Sequence, residues 1–111
     1  MSATLIAGRK YSGKLVAFCT AAPAADGVRF DFDGGTATMT SFTAAITANV
    51  QGATLGVTVS SALATDMMFT ALSGTGINCL KITFSCIVDA GGTFIPRFAQ
   101  NTHVAGTLTA V

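Results

Sequence analysis

Strict two-residue alternation over residues 77–98 constrains the fold of this chain more than any other feature. The apolar residues that alternate are Leu80, Ile82, Phe84, Cys86 and Val88. The polar residues between them are Lys81, Thr83 and Ser85. A β-strand with one buried and one wetter face requires this period. Helical spacing fits some of the same residues, but the β-branched and aromatic content favours a central strand that stops at Gly91-Gly92.

The residues after this strand predict a turn and a second strand. Asp89-Ala90-Gly91-Gly92 has the composition of a tight turn, and residues 93–98 follow as an extended segment. Pro96 has no amide proton to donate, so the second strand is predicted at a sheet edge or at a bulge. Residues 77–98 are therefore predicted to form a hairpin.

Residues 28–33, VRFDFD, form the clearest amphipathic strand. The apolar residues share one face, and the charged residues Arg29, Asp31 and Asp33 share the other. The following Gly34-Gly35 signals a tight turn, so residues 36–42 are predicted to return as the partner strand of a hairpin. The residues then set across from the charges are Thr36, Thr38 and Thr40.

The other segments predict shorter elements. The predicted strands cover residues 4–7, 11–19, 57–59 and 107–111, and the predicted loops cover residues 20–27, 51–56 and 99–105. The apolar run 15–19 is unbroken, which predicts burial on both faces, against a sheet on one side and a neighbour on the other. Residues 43–49 fit either a helix or a strand. Residues 62–71 are helix-like, with Thr65 as the predicted cap over Met67, Met68 and Phe69.

Composition predicts a single domain over residues 1–111, large enough for its own core. Half of the residues are hydrophobic and 10% are charged, yet no run reaches the ~18 apolar residues of a membrane span. The six basic residues and five aspartates are scattered, which argues against a nucleic-acid surface. The N-terminus lacks a secretory signal, so synthesis in a reducing cytoplasm is predicted. The many Ala, Thr and Gly residues suit sheets and protein interfaces.

Three cysteines, Cys19, Cys79 and Cys86, lie inside apolar runs. Cys79 and Cys86 would stand roughly 23 Å apart on one extended strand, far beyond the ~7 Å that a disulfide allows between Cα atoms. The sequence contains no Cys-x-x-Cys pair of the kind that binds metal. We therefore predict buried free thiols.

Two carboxylates on one strand face, Asp31 and Asp33, are the first catalytic candidates. At about 7 Å apart they fall within the range of glycosidase pairs, but a solvated strand face with an ion pair to Arg29 is the simpler interpretation. A calcium site would draw on Asp26, Asp31, Asp33 and Asp89, without an EF-hand loop. His103 is the single histidine, and the sequence contains no G-x-S-x-G motif that would provide a serine nucleophile for it. We predict no catalytic, cofactor or metal residue, and a protein that is not an enzyme.

Three short motifs occur in order along the chain: AGRKY at residues 7–11, FDFDGGTATMTS at 30–41 and AGGTFIPR at 90–97. They resemble small jelly-roll domains of tailed-phage virion proteins, of the tail-fibre-end and capsid-decoration type. The resemblance implies a trimer, and it favours a strand over residues 43–49. Such domains often carry Gln at the position of Arg97, and they continue with a Gly-Ser-aromatic strand. The resemblance therefore implies a shortened form, or replacement of that strand by the N-terminal segment or a neighbour.

Together these features predict an all-β fold, a two-sheet antiparallel jelly-roll sandwich. We expect a non-enzymatic structural protein of a tailed-phage virion, a self-associating capsid decoration (cement) protein made in the host cytoplasm. The alternative is a tail-fibre or receptor- or glycan-binding tip module, although the chain has no Trp and one Tyr to stack on sugars. The expected partners are copies of itself in a homotrimer and the major capsid protein, with no nucleic acid and no membrane. The predicted interface residues are Tyr11, Arg97 and Phe98.

Overall fold

The computed structural model describes residues 1–22, 27–33, 35–50, 53–69, 72, 76–101 and 107–110. The strands in this part of the chain are β1 (Ala3–Leu5), β2 (Lys10–Ala22), β3 (Val28–Asp33), β4 (Thr38–Val50), β5 (Ala53–Ser60), β6 (Met67–Phe69), β7 (Asn78–Ala90), β8 (Gly92–Gln100) and β9 (Thr107–Ala110). Helix is absent from the described ranges, so the predicted all-β class is confirmed. Within those ranges, nothing has the helical length and apolarity that crossing a membrane requires.

The strands form two antiparallel sheets that pack as a sandwich. The four-stranded sheet has the order β1-β8-β3-β6, and the five-stranded sheet has the order β5-β4-β7-β2-β9. Four of the strand pairings are those of one long hairpin that is paired from its open end to its tip. They are β1·β8, β2·β7, β3·β6 and β4·β5. Rolling that hairpin brings β3 beside β8 and β4 beside β7. This is the predicted jelly roll, with β9 as an additional strand beside β2.

β7 is the central strand that its alternation predicted. It lies between β4 and β2 in the five-stranded sheet. Leu80, Ile82 and Val88 are fully buried, whereas Lys81 and Thr83 are exposed. A slip of one residue would exchange these two faces, so the alternation itself specifies the register of the sheet.

Five phenylalanines connect the two sheets through the core. Phe32 of β3 lies at the centre of the group, with its ring centroid 5.1 Å from that of Phe30 and 5.8 Å from that of Phe42. The centroids of Phe84 and Phe94 are each 5.0 Å from it. Aromatic pairs add about 0.5–1.5 kcal/mol beyond the area that they bury. Because the rings come from four different strands, the cluster stabilises the packing of one sheet on the other.

Both predicted hairpins are wrong. β7 and β8 lie in different sheets, and so do β3 and β4. Thr38 and Thr40 therefore belong to the five-stranded sheet and do not lie across from Asp31 and Asp33, whose partners are Arg97 and Ile95 of β8. A Gly-Gly turn indicates that the chain reverses, but it serves a corner between two sheets as well as a hairpin within one.

The two crossings between the sheets contact each other through their common Gly-Gly-Thr sequence. The Thr36 amide donates to Thr93 Oγ1 at 3.1 Å, and the Thr93 amide donates to Thr36 Oγ1 at 2.9 Å. Gly35 adopts a φ of +56°, and a Cβ on Gly92 would come within 2.8 Å of the Thr36 backbone. Glycine alone fits such close backbone approach. The motifs that predicted two hairpins thus form one corner of the roll.

The helix-like patch at residues 62–71 is also a wrong prediction. Met67 and Phe69 are buried on β6, which pairs with β3, and Met68 between them is 46% exposed. The predicted cap, Thr65, instead donates its Oγ1 hydrogen to the carbonyl two residues earlier, at 3.5 Å. Alternate burial beside an amphipathic partner strand outweighs the local helix preference, because both inward side chains fill the core.

Strand lengths differ from the prediction on β4 and β5. The two predicted segments 36–42 and 43–49 belong largely to one 13-residue strand, β4. β5 begins at Ala53, inside the predicted loop 51–56, and extends the predicted strand 57–59 at both ends.

Pro96 occupies the edge position that its missing amide proton predicted. β1 pairs with β8 only as far as Phe94, so Pro96 lies where β8 has β3 as its one neighbouring strand. Other predictions fall outside the described residues. These concern the part of the loop 20–27 that holds Asp26 and the part of the loop 99–105 that holds His103.

Candidate functional site

Arg97 joins the two carboxylates that alternate on β3. The pairing of β3 with β8 sets Asp31 opposite Arg97. Arg97 Nε donates to Asp31 Oδ1 at 2.7 Å, Nη2 donates to Asp31 Oδ2, and Nη1 lies 2.9 Å from Asp33 Oδ2. The Asp31 side chain is 7% exposed, whereas that of Arg97 is 49% exposed. A guanidinium fork on a carboxylate is the strongest geometry for such an ion pair.

This cluster changes the interpretation of the two aspartates. The hydrogen bond to Asp31 is the main reason that the pKa of Arg97 is raised above its ordinary value. Asp31 and Asp33 together hold the Arg97 guanidinium. The predicted ion pair with Arg29 is wrong, because Arg29 Nη1 lies 3.3 Å from Asp66 Oδ2 instead.

A polar depression of about 470 Å³ surrounds these ion pairs on the outer face of the four-stranded sheet. Its lining consists of Arg29, Asp31, Ala64, Asp66, Arg97, Phe98 and Ala99. Both guanidinium groups already contact carboxylates, so the depression offers hydrogen-bonding groups with little free charge.

The three predicted interface residues do not share one surface. Tyr11 is half-buried on β2 in the five-stranded sheet, packs against the core, and accepts a hydrogen bond from the Ile6 amide at 3.1 Å. Arg97 and Phe98 lie on β8 in the other sheet and, as successive strand residues, point to opposite faces. Phe98 is 38% exposed. An interface role for these three residues stays a prediction.

Phe98 borders an apolar cleft between the sheets. Two adjoining cavities of about 240 and 220 Å³ share Met1, Leu15 and Pro96 in their walls, and Phe98 lines the second. β1 is three residues long, so in the described part of the chain no strand covers this side of β8 beyond Phe94. The cleft is therefore open along that edge.

Large apolar side chains are also exposed on the outer surface of the five-stranded sheet, here called the five-strand face. Val16 and Phe18 of β2 are 44% and 48% exposed, and Val57 and Val59 of β5 are 60% and 75% exposed. The strand register places them in rows across the sheet. One row is Val57, Thr47, Lys81 and Val16, and the next is Val59, Ala45, Thr83 and Lys14.

The middle of the five-strand face is lined by small side chains. A shallow depression of about 410 Å³ lies beside Thr43, Ala45, Val59 and Thr83. Val59 of β5 and Lys14 of β2 flank it on the two sides, since they end the row that contains Ala45 and Thr83. The face is therefore broad and slightly concave, a shape that suits contact with another protein surface.

In the described ranges, the charged groups of the five-strand face are three lysines and, at the end of β7, Asp89. Lys10, Lys14 and Lys81 are exposed, and in the described ranges none lies within 4.0 Å of a carboxylate, since the ion pairs found there all involve Arg29 or Arg97. Asp89 lies at the end of β7 and accepts a hydrogen bond from Thr38 Oγ1 at 3.3 Å. The five-strand face therefore carries unpaired positive charge.

The apolar run 15–19 had already indicated this surface. Cys19 is buried, whereas Val16 and Phe18 face outward and remain half exposed in the isolated chain. The sheet thus covers one side of the run, and the predicted neighbour on the other side remains a prediction. Residues 57–59 were predicted as a strand, but the exposure of Val57 and Val59 on this surface was not predicted.

The buried thiols that were predicted are confirmed for Cys19 and Cys86, and Cys79 is a half-buried free thiol. Burial raises the pKa of the Cys19 thiol and of the Cys86 thiol, and a backbone hydrogen bond from Tyr11 partly offsets the effect at Cys86. Across the described ranges, no three Cys, His, Asp or Glu side chains group as metal ligands would.

Comparison with known proteins gave no relative. No protein-family model matches the chain, and neither a curated protein nor a solved structure matches it. The surfaces described above are therefore the basis on which a function is proposed.

Proposed function

We propose that this protein is a non-enzymatic structural component of a tailed-phage virion, a self-associating capsid decoration protein. The observation that carries the proposal is the five-strand face, where Val16, Phe18, Val57 and Val59 are exposed together on a broad surface. Contiguous exposed apolar side chains usually mark a protein interface. The jelly roll supports the proposal because it is the fold that the motif resemblance implied.

Burial of this face would give substantial binding energy. Removing a Val or Phe side chain from water is worth about 1.5–3 kcal/mol when burial is complete. These four residues are already partly covered, so each contributes less than that. Their combined burial still suits a decoration protein, which reinforces a shell by covering neighbouring coat subunits.

Three acidic groups in the described ranges are held in ion pairs, which favours a structural role over catalysis. Asp31 and Asp33 contact Arg97, and Asp66 contacts Arg29. These pairs lie on the outside of the four-stranded sheet and link β3 to its neighbours. They leave the five-strand face as the surface for a partner.

The first test is binding to shells. Purified capsids that lack this protein, from the phage that encodes it, are mixed with the wild-type chain, and co-sedimentation and thermal rupture of the shells are measured. We expect saturable binding and a higher rupture temperature. Val57→Thr/Val59→Thr keeps side-chain shape but reduces apolarity, and it should weaken binding at least tenfold.

Met68→Thr is the matched control, because Met68 is 46% exposed on the other sheet. This variant should bind like the wild type. Absence of wild-type binding to the shells would refute the decoration role. Light scattering over a range of concentrations tests the proposed trimer separately, and a monomer at all concentrations would contradict self-association.

A receptor- or glycan-binding tip remains the second candidate. The polar depression around Arg29, Asp66 and Arg97 favours it, because its guanidinium and carboxylate groups suit hydrogen bonds to sugar hydroxyls. Binding to host cells or to surface glycan, lost in Asp66→Ala, would favour this function. The same preparation should then show no affinity for shells.

A further inference from the structure

We infer that the five-strand face docks on an acidic surface of a different protein, and that Lys14 and Lys81 orient the contact. This inference rests on the proposed function, because it names the chemistry of the partner that the face would cover.

Charge is divided between the two outer surfaces. The carboxylates of Asp31, Asp33 and Asp66 lie on the four-stranded side, and each contacts an arginine. The five-strand face holds Lys14 and Lys81 as diagonal neighbours, since Lys14 is opposite Thr83 and Lys81 is opposite Val16.

Adjacent like charges on one sheet face repel each other. An approaching carboxylate would interact favourably with both ammonium groups and relieve this repulsion. Lys14 and Lys81 lie beside the exposed Val16, so an acidic partner that contacts the lysines would cover apolar surface in the same step. The lysines and valines therefore belong to one contact.

A second copy of this chain fits the five-strand face poorly. Among the described residues, Asp31, Asp33 and Asp66 are held by Arg29 and Arg97. Asp89, which accepts a hydrogen bond from Thr38, is the one carboxylate in those ranges without a cation, so a second copy offers little negative charge to the lysines. A different protein with several free carboxylates complements them better.

The shape of the face distinguishes a protein from other polyanions. Exposed Val59 borders a depression of about 410 Å³ lined by Thr43, Ala45 and Thr83 among others. Such a surface receives protruding side chains and buries apolar groups, which a phosphate backbone does not provide. The charged groups then steer association and fix the orientation, while the apolar rows supply most of the affinity.

The test measures binding of exposed-lysine variants to capsids that lack the protein, at 50 and 500 mM NaCl. Lys14→Gln and Lys81→Gln should each weaken binding at low salt by about two- to fivefold, the range expected for one exposed ion pair. The difference from wild type should shrink at high salt because of screening. Lys14→Arg keeps the charge and should bind like the wild type.

Thr4→Glu is the control for net charge, because it changes the charge by the same amount at an exposed position on the four-stranded sheet. It should leave binding unchanged. If the wild type binds and both glutamine variants bind equally well, the inference is wrong and the proposed function stands.

Two further outcomes contradict the inference. Absence of wild-type binding to capsids at either salt overturns the proposed function together with the inference. Tighter lysine-dependent binding to heparin or to vesicles with 30 mol% phosphatidylserine than to capsids overturns the protein partner. Unfolding curves of all variants check that the fold is intact.

Discussion

Phe84 of β7 lies directly over Gly13 of β2, its cross-strand partner. A Cβ placed on Gly13 would come within 2.5 Å of Phe84 Cε1 and 2.8 Å of Cζ. The space above the glycine lets the ring reach the core, where its centroid is 5.0 Å from that of Phe32 and 5.2 Å from that of Phe94. The absence of a side chain at Gly13 therefore shapes the aromatic cluster.

Gly13→Ala should destabilise the protein by about 1–3 kcal/mol, because a methyl group in this space forces the ring out of its position. The lower backbone entropy of the unfolded alanine variant opposes this effect by about 0.4–1 kcal/mol, so the clash determines the sign. Urea unfolding measures the difference. Ser12→Ala, at an exposed neighbouring position on β2, should stay within about 0.5 kcal/mol of wild type. A Gly13→Ala protein as stable as wild type would contradict the packing described.

Local patterns in the sequence predicted the strands better than their arrangement. Alternation over β7 and over β3 indicates which side chains are buried, because every second residue of a strand lies on the same face of the sheet. The Gly-Gly turns before Thr36 and Thr93 report a reversal of the chain, but not the plane of the turn. That plane depends on contact between two segments 57 residues apart, which no local pattern contains.

Prediction of the candidate surfaces was limited in the same way, by contacts between residues far apart in the sequence. The alternating charges of β3 were visible, but their partner Arg97 comes from 66 residues further along the chain, and Arg29 was the nearer cation in sequence. The run 15–19 did indicate a two-sided strand. The position of β5 beside β4, which brings Val57 and Val59 to the same face, follows from the topology alone.

Asp31→Asn and Asp33→Asn make the same chemical change and should differ in cost. Asp31 is 7% exposed and accepts two hydrogen bonds from Arg97, whereas Asp33 is 37% exposed. Loss of a buried hydrogen-bonded charge should reduce the free energy of unfolding by about 1.5–3 kcal/mol. Loss of the exposed pair should cost less than about 1 kcal/mol. Urea unfolding at pH 7 checks the order, and equal losses would show that burial does not strengthen the Asp31 contact.

Ala64→Gly should stabilise the protein. Ala64 has a φ of +54°, the left-handed conformation that its Cβ disfavours, and its amide donates to the Phe32 carbonyl at 2.8 Å. Glycine relieves about 1–2 kcal/mol of strain, which exceeds the cost of about 0.4–1 kcal/mol from its larger unfolded-state entropy. A net gain of about 0.5 kcal/mol raises the melting temperature by roughly 2 °C for a domain of this size. Ala62→Gly, two residues earlier where φ is not positive, should lower it. A decrease for both variants would mean that Ala64 is not strained.

Stability should fall as the pH rises above about 8.5, the ordinary pKa of a thiol. Burial raises the pKa of Cys19 and Cys86 in the folded chain, so the folded state keeps protons that the unfolded state has released. The unfolded state then binds fewer protons than the folded state. The free energy of unfolding therefore declines by up to about 1.4 kcal/mol per pH unit for each of the two thiols. Urea unfolding under reducing conditions at pH 7.5, 8.5 and 9.5 measures this slope. Cys19→Ala/Cys86→Ala should flatten it, since both proteins share all other titrating groups, and an equal slope in the two proteins would assign the decline to groups other than these thiols.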